Sequence, residues 1–157
     1  MTEDYLLGTN DEELMRLGLQ HRVWRSVVLA CWKKAGITTG KRVLDVGAGP
    51  GYAAVDLAKI VGPAGEVVAL ERSGKFVAAA KAACGQPQLH NVHVHQLDLI
   101  EDEFPKGEFD FSWCRWVLCF VSDRGLLMRK IARSLRKGGV AIFHEYVEYK
   151  TDRKSVV

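Results

Sequence analysis

Long apolar runs are missing from this sequence of 157 residues: no stretch approaches the roughly 20 apolar residues that a membrane-spanning helix requires. A soluble protein with no membrane partner is therefore expected. Residues Met1 to Asn10 hold two acids and no basic or long apolar run, so they do not read as a secretory leader, and a cytoplasmic location is expected. The four cysteines, Cys31, Cys84, Cys114 and Cys119, lack any CxxC spacing, which argues against a zinc or disulfide framework and for buried free thiols. Excess charge of one sign is scarce too. A net charge of +3 is small for a protein whose main partner is a polyanion, so nucleic acid is not expected, and the charge says nothing about an anionic small substrate. Linkers, repeats and low-complexity tracts are also lacking, and at this length folding hides roughly 68 to 70% of the unfolded surface, so a single domain over residues 1–157 is expected.

What is present alternates between two periodicities. Asn10-Asp11 followed by Glu12-Glu13 supplies a helix cap and acids beside the positive end of the helix dipole. Leu14, Leu17, His21, Trp24, Val28, Cys31 and Ala35 then recur at helical steps, with Gly18 a place where the run could split in two and Gly36 its end. Arg42 to Val46 is a short apolar run of the kind that forms a buried parallel strand. A helix with Ala54, Leu57, Ala58 and Val61 on one face follows, closed by Gly62-Pro63. The pattern recurs: a strand at Glu66 to Leu70, then a helix capped by Ser73 with Phe76, Ala79, Ala80 and Ala83 on its face. A third strand spans Val92 to Leu97 and a fourth Phe109 to Cys114. Asp123 caps a helix bearing Leu127, Ile131 and Leu135, and Gly139 leads into a fifth strand, Val140 to His144. Strands alternating with helices imply an α/β, Rossmann-like, doubly wound parallel sheet with helices on both faces. A helical segment, residues 1–40, precedes a core at 41–149 and a tail at 150–157.

Such a sheet binds ligands outside the carboxyl ends of its strands, so the first strand-to-helix turn is the place to look. It reads Gly47-Ala48-Gly49-Pro50-Gly51, three glycines that bend the chain sharply and leave a ligand free to touch main chain. About twenty residues on, at the end of the second strand, Glu71 can accept hydrogen bonds from ribose hydroxyls. The dinucleotide fingerprint G-x-G-x-x-G fails at Tyr52, the third glycine coming one residue early. Asp45 stands where an acid would oppose a pyrophosphate but could face an amino group, which disfavours an NAD-dependent oxidoreductase.

Val43-Leu44-Asp45-Val46-Gly47-Ala48-Gly49-Pro50-Gly51 resembles the first motif of the class I S-adenosylmethionine-dependent methyltransferases. Val67 to Ser73, with Glu71 and Arg72, resembles the second, whose acid holds both ribose hydroxyls; Gln96-Leu97-Asp98-Leu99 resembles the segment that meets the adenine. Phe109 to Leu118 resembles the fourth motif, beneath the sulfonium, and Leu135 to Gly139 the turn before the fifth strand, with Lys137 where the family often has Pro. The resemblance implies S-adenosylmethionine as cofactor and a strand order of 3-2-1-4-5. It implies that Asp45 and the backbone of Gly47 and Gly49 hold the methionine end, Glu71 the ribose, and Asp98 with Leu99 the adenine, with Ala48, Gly51 and Arg72 also among the cofactor-binding residues. Arg115 and Trp116 then lie near the reacting end, with a strand-end ion pair and a core contact as their plainer alternatives. Tyr5 to Gln20, including Tyr5, Arg16 and Leu17, resembles a segment that folds over the cofactor in small-molecule members; a helix that only packs on the sheet explains the same residues.

His144, beside Glu145 at the end of the fifth strand, is a weak candidate base. No metal is expected: His90, His93 and His95 fall at the edge strand, where polar side chains face solvent. The basic run Arg124, Arg129, Lys130, Arg133, Arg136 and Lys137 reads as a solvated helix face. The family's sheet usually has seven strands, and the residues after Tyr149 are too few for two more, so a truncated form is expected, or one that pairs its exposed fifth strand in a homodimer. The leading expectation is methyl transfer to a small-molecule acceptor; the alternative is a catalytically silent cofactor-binding or interaction module.

Overall fold

In the computed structural model, which describes residues 11–146, helix α1 (Asp11–Ala35) precedes a strictly alternating series. The series is β1 (Arg42–Val46), α2 (Tyr52–Val61), β2 (Glu66–Glu71), α3 (Gly74–Cys84), β3 (Val92–Gln96), β4 (Phe109–Arg115), α4 (Arg124–Ser134) and β5 (Leu135–His144). The five strands form one sheet in the order β3-β2-β1-β4-β5, every pair parallel. The fold class and the strand order expected from the sequence are those found. β1 lies at the centre, Val43 opposite Val67 on one side and Phe111 on the other, which is why its residues from Val43 to Val46 are buried on both faces.

Alternation along the strands sends side chains into two cores. Val43, Val67 and Trp113 pack with Val28 and Trp32 of α1 and Leu57 of α2, while Leu44, Leu70 and Cys114 pack with Leu127 and Ile131 of α4. Two of the three helix caps read from the sequence are made: the Ser73 side chain accepts from the Phe76 N–H and that of Asp123 from the Leu126 N–H.

Several local expectations are corrected. α1 runs unbroken through Gly18, which is buried against Tyr52: a Cβ there would lie 3.1 Å from the Tyr52 hydroxyl, so the glycine serves a close approach. The buried side of α1 holds Glu13, His21, Val28 and Trp32, whereas Trp24 is 40% exposed and Cys31 is on the surface, so not every thiol is buried. The Asn10 cap lies outside the described residues. Leu135 belongs to β5, not to α4, because the β4–β5 register jumps from Phe109 opposite Leu135 to Phe111 opposite Val140, with Gly138 at φ +80° within the bulge. Among the described residues nothing pairs with the outer side of β5.

Candidate functional site

A cavity of about 1250 Å³ opens at the carboxyl ends of β1, β2 and β4. The turn after β1 shapes its floor. Gly47, Gly49 and Gly51 all have left-handed backbones, at φ +69°, +55° and +85°. A Cβ on Gly47 would come within 2.4 Å of Val117, and one on Gly51 within 3.0 Å of Ala80, so the first and third glycines are fixed by packing. Around Gly49 nothing lies within 4 Å of such an atom, and the main chain there is open to a ligand.

Glu71 ties this turn to β2. Its carboxylate accepts the Gly49 N–H through Oε2 and the Ser73 N–H through Oε1, each at 2.8 Å. Burial raises its pKa against the pull of these amides. Each oxygen keeps a further acceptor position for a hydroxyl.

Asp45, on the same face of β1 as Val43, is 2% exposed, and its Oδ2 has no hydrogen-bond partner. Burial pushes its carboxyl up to about 7, with Arg115 opposing the rise. Arg115, at the end of β4, likewise buries an unpartnered Nη1. Its Nη2 lies 3.3 Å from His21 Nδ1, and its guanidinium sits 4.8 Å above the Trp116 ring. Trp116 itself takes φ +55°, a strained backbone for a bulky residue, and its N–H donates to the His144 carbonyl at 3.0 Å. Glu145 Oε1 accepts the N–H groups of Val117 and Leu118, which holds the chain beyond Trp116 in place.

At the far end, Asp98 organises a tight loop: Oδ1 accepts the Ile100 and Glu101 N–H groups at 2.8 and 3.1 Å, and Oδ2 lies 3.7 Å from Arg72 Nη1. Lys130 Nζ donates to the carbonyls of Leu99 at 3.2 Å and Asp102 at 2.8 Å, and to that of Ile100. Lys130 thus clamps this loop, and Arg136 pairs with Asp110 at 2.7 Å, so the basic run is not simply a solvated face.

Of the residues singled out from the sequence, Asp45, Gly47, Ala48, Gly49, Glu71 and Arg72 share the cavity wall, with Asp98, Leu99, Arg115 and Trp116 completing it. Gly51 stands behind the wall, and so does His144, whose ring is enclosed by Trp24, Trp113 and Trp116 at centroid distances of 5.2 to 6.0 Å. Burial there, with Arg115 nearby, lowers the His144 pKa. Leu17 reaches the cavity; Arg16 turns to Glu13 instead, and Tyr5 lies outside the described residues. At the β3 edge, His93 lies 3.6 Å from Glu66.

Sequence reasoning missed the clamp by Lys130, the brace by Glu145 and the buried contact of His21 with Arg115. Only His21 left a trace, as a polar residue within an apolar helical stripe.

Residues 44–143 match a family model described as methyltransferase domain. The demethylmenaquinone methyltransferase of Lactococcus lactis is 32% identical over 120 residues, covering 76% of this chain and 46% of that protein. The chain spans about half the length of the curated relatives it matches. Among solved structures, a SAM-dependent methyltransferase from Aquifex aeolicus is 26% identical with a TM-score of 0.62, covering 68% of this chain and 57% of that one. An S-adenosylmethionine-dependent methyltransferase from Mesorhizobium loti is 25% identical with a TM-score of 0.61, covering 73% and 51%. With the glycine turn, the strand order and the family model agreeing over most of its length, this chain belongs to the methyltransferase domain family and has the fold of the class I S-adenosylmethionine-dependent enzymes.

Proposed function

We propose that this chain binds S-adenosylmethionine along the cavity and transfers its methyl group to a small-molecule acceptor. One observation carries the reading: Asp45 Oδ2 and Arg115 Nη1 are buried, unpartnered and on the same cavity wall. A buried acceptor and a buried donor left without partners are costly unless a ligand meets both. An α-amino acid zwitterion does so, its ammonium facing Asp45 and its carboxylate facing Arg115. Glu71 then receives the ribose hydroxyls, and the loop from Asp98 to Asp102 receives the adenine.

When bound, the cofactor supplies a methyl group already activated on a sulfonium sulfur, so the chain's own task is binding, alignment and exclusion of water. Leu17, Trp113, Trp116, Phe120 and Val121 give part of the cavity an apolar lining suited to a desolvated acceptor. Neither histidine nor lysine is among the described residues lining the cavity.

Calorimetric titration with S-adenosylmethionine, S-adenosylhomocysteine and NAD tests the reading. The first two are expected to bind and NAD to fail, with Glu71→Ala weakening both by about tenfold or more as charge-assisted hydrogen bonds are lost. A folded chain that binds none of the three, or prefers NAD, overturns it. Binding without turnover on any acceptor would instead support a silent cofactor-binding module.

A further inference from the structure

Behind the cavity wall runs a buried chain of polar groups that joins three elements. Arg115 of β4 contacts His21 of α1, His21 contacts Asp56 of α2 through Nε2 at 3.0 Å, and Asp56 also accepts from Arg25 Nε and Nη2 at 2.8 and 2.9 Å. His21 and Asp56 are both buried. Tyr52 stacks on the His21 ring with centroids 5.7 Å apart, and its hydroxyl donates to the Leu14 carbonyl at 3.1 Å, so the imidazole has little freedom to turn.

The hydrogen-bonding roles along this chain are forced. A guanidinium has donors only, so Nδ1 of His21 must accept from Arg115 Nη2. A carboxylate has acceptors only, so Nε2 must carry the proton and donate it to Asp56. Burial pushes the Asp56 carboxyl up, but the hydrogen bonds from His21 and Arg25 outweigh it and hold the group at about 2, ionised and able to fix this tautomer. At the other end, His21 takes Nη2 and Trp116 covers the guanidinium face, which leaves Nη1 as the buried donor without a partner.

We propose that His21 is a positioning residue for the cofactor's carboxylate: in its Nε2–H tautomer, fixed by Asp56, it holds one arm of Arg115 so that the other is aimed into the cavity. The assignment rests on the proposed function above, in which Arg115 meets that carboxylate. His21 acts only through Arg115, so its removal must weaken ligands that have an amino-acid end and spare those that lack one.

The test compares S-adenosylhomocysteine with 5′-methylthioadenosine, the same nucleoside thioether without the amino-acid end, by calorimetry on the full chain. His21→Ala should weaken the first by about tenfold or more, the scale of a hydrogen bond to a charged group, and change the second by less than about twofold. The two amide replacements separate positioning from packing. His21→Asn puts an oxygen near the place of Nδ1 and should recover much of the lost affinity, whereas His21→Gln reaches Asp56 instead and should recover little, whatever the order of their melting temperatures. Nitrogen NMR of the ring in the free wild-type protein should show a protonated Nε2 and an unprotonated Nδ1. Equal loss for both ligands, a Gln variant that binds S-adenosylhomocysteine better than the Asn variant, or an Nδ1–H tautomer overturns the assignment. If the folded wild type binds neither ligand, the proposed function falls and this assignment with it; if it binds both with equal affinity, the zwitterion contacts of Asp45 and Arg115 fall and the role of His21 with them, while binding of the nucleoside part stands.

Discussion

An aspartate 2% exposed with one oxygen unpartnered keeps its proton to about pH 7, where an unfolded chain would have lost it near 3.8. Between those values the native state holds a proton that the unfolded state has released. The contribution of Asp45 to stability therefore falls as pH rises from about 4 to about 7 and is constant above. A ligand ammonium placed against Asp45 favours the carboxylate, so below about pH 7 binding must expel this proton. Affinity for S-adenosylmethionine is expected to weaken as pH falls through that range, with proton release visible as a dependence of the calorimetric heat on the buffer's ionisation enthalpy. Asp45→Asn should bind weakly and lose the dependence. A wild-type affinity that is flat across this range would show that the ammonium does not meet Asp45.

Helix α1 is tied to α2 beside the site through His21 and Arg25 and is anchored on the sheet at its other end. Trp32 is fully buried, its ring edge-on to Trp113 at 5.2 Å, and Trp113 lines the cavity. Trp32→Ala should cost about 3 to 5 kcal/mol through lost burial and the space left behind. Denaturant unfolding followed by far-UV dichroism reads this as a lower midpoint; a loss under about 1 kcal/mol would mean that α1 is held elsewhere. This helix also shows where the sequence was readable. Its extent, the five strands and the glycine turn followed from periodicity and turn chemistry, because buried parallel strands are continuous apolar runs and a turn of three glycines has few uses. Its buried face did not. Trp24 and Trp32 are alike in type and eight residues apart, and only packing against Trp113 decides that Trp32 is the buried one. Leu135 suits a helix face as well as a strand, and the bulge that settles the matter depends on pairing with β4. The His21–Asp56 contact joins residues 35 apart, and the clamp by Lys130 joins a helix to a loop some thirty residues earlier; no local pattern encodes either.

At the scale of the whole molecule, the sheet has one edge, β3, that carries exposed histidines and another, β5, whose outer side no described residue covers. Val140 on this second edge is 41% exposed. An open apolar edge is a template for pairing, so concentration-dependent association is expected in sedimentation velocity, with Val140→Lys reducing it. A monomer at every concentration would show that the edge is protected in solution.

In the proposed binding mode the row formed by Asp45, Arg115, Glu71 and Asp98 would face the amino acid, the ribose and the base, which are the parts that a methyl donor and its demethylated remnant have in common. Nothing in that row reports whether the methyl group has left. For the methyl transfer proposed above, spent donor would compete on nearly equal terms with fresh donor, and once the two together saturate the site the rate would follow their ratio, set by how fast the surroundings clear the remnant.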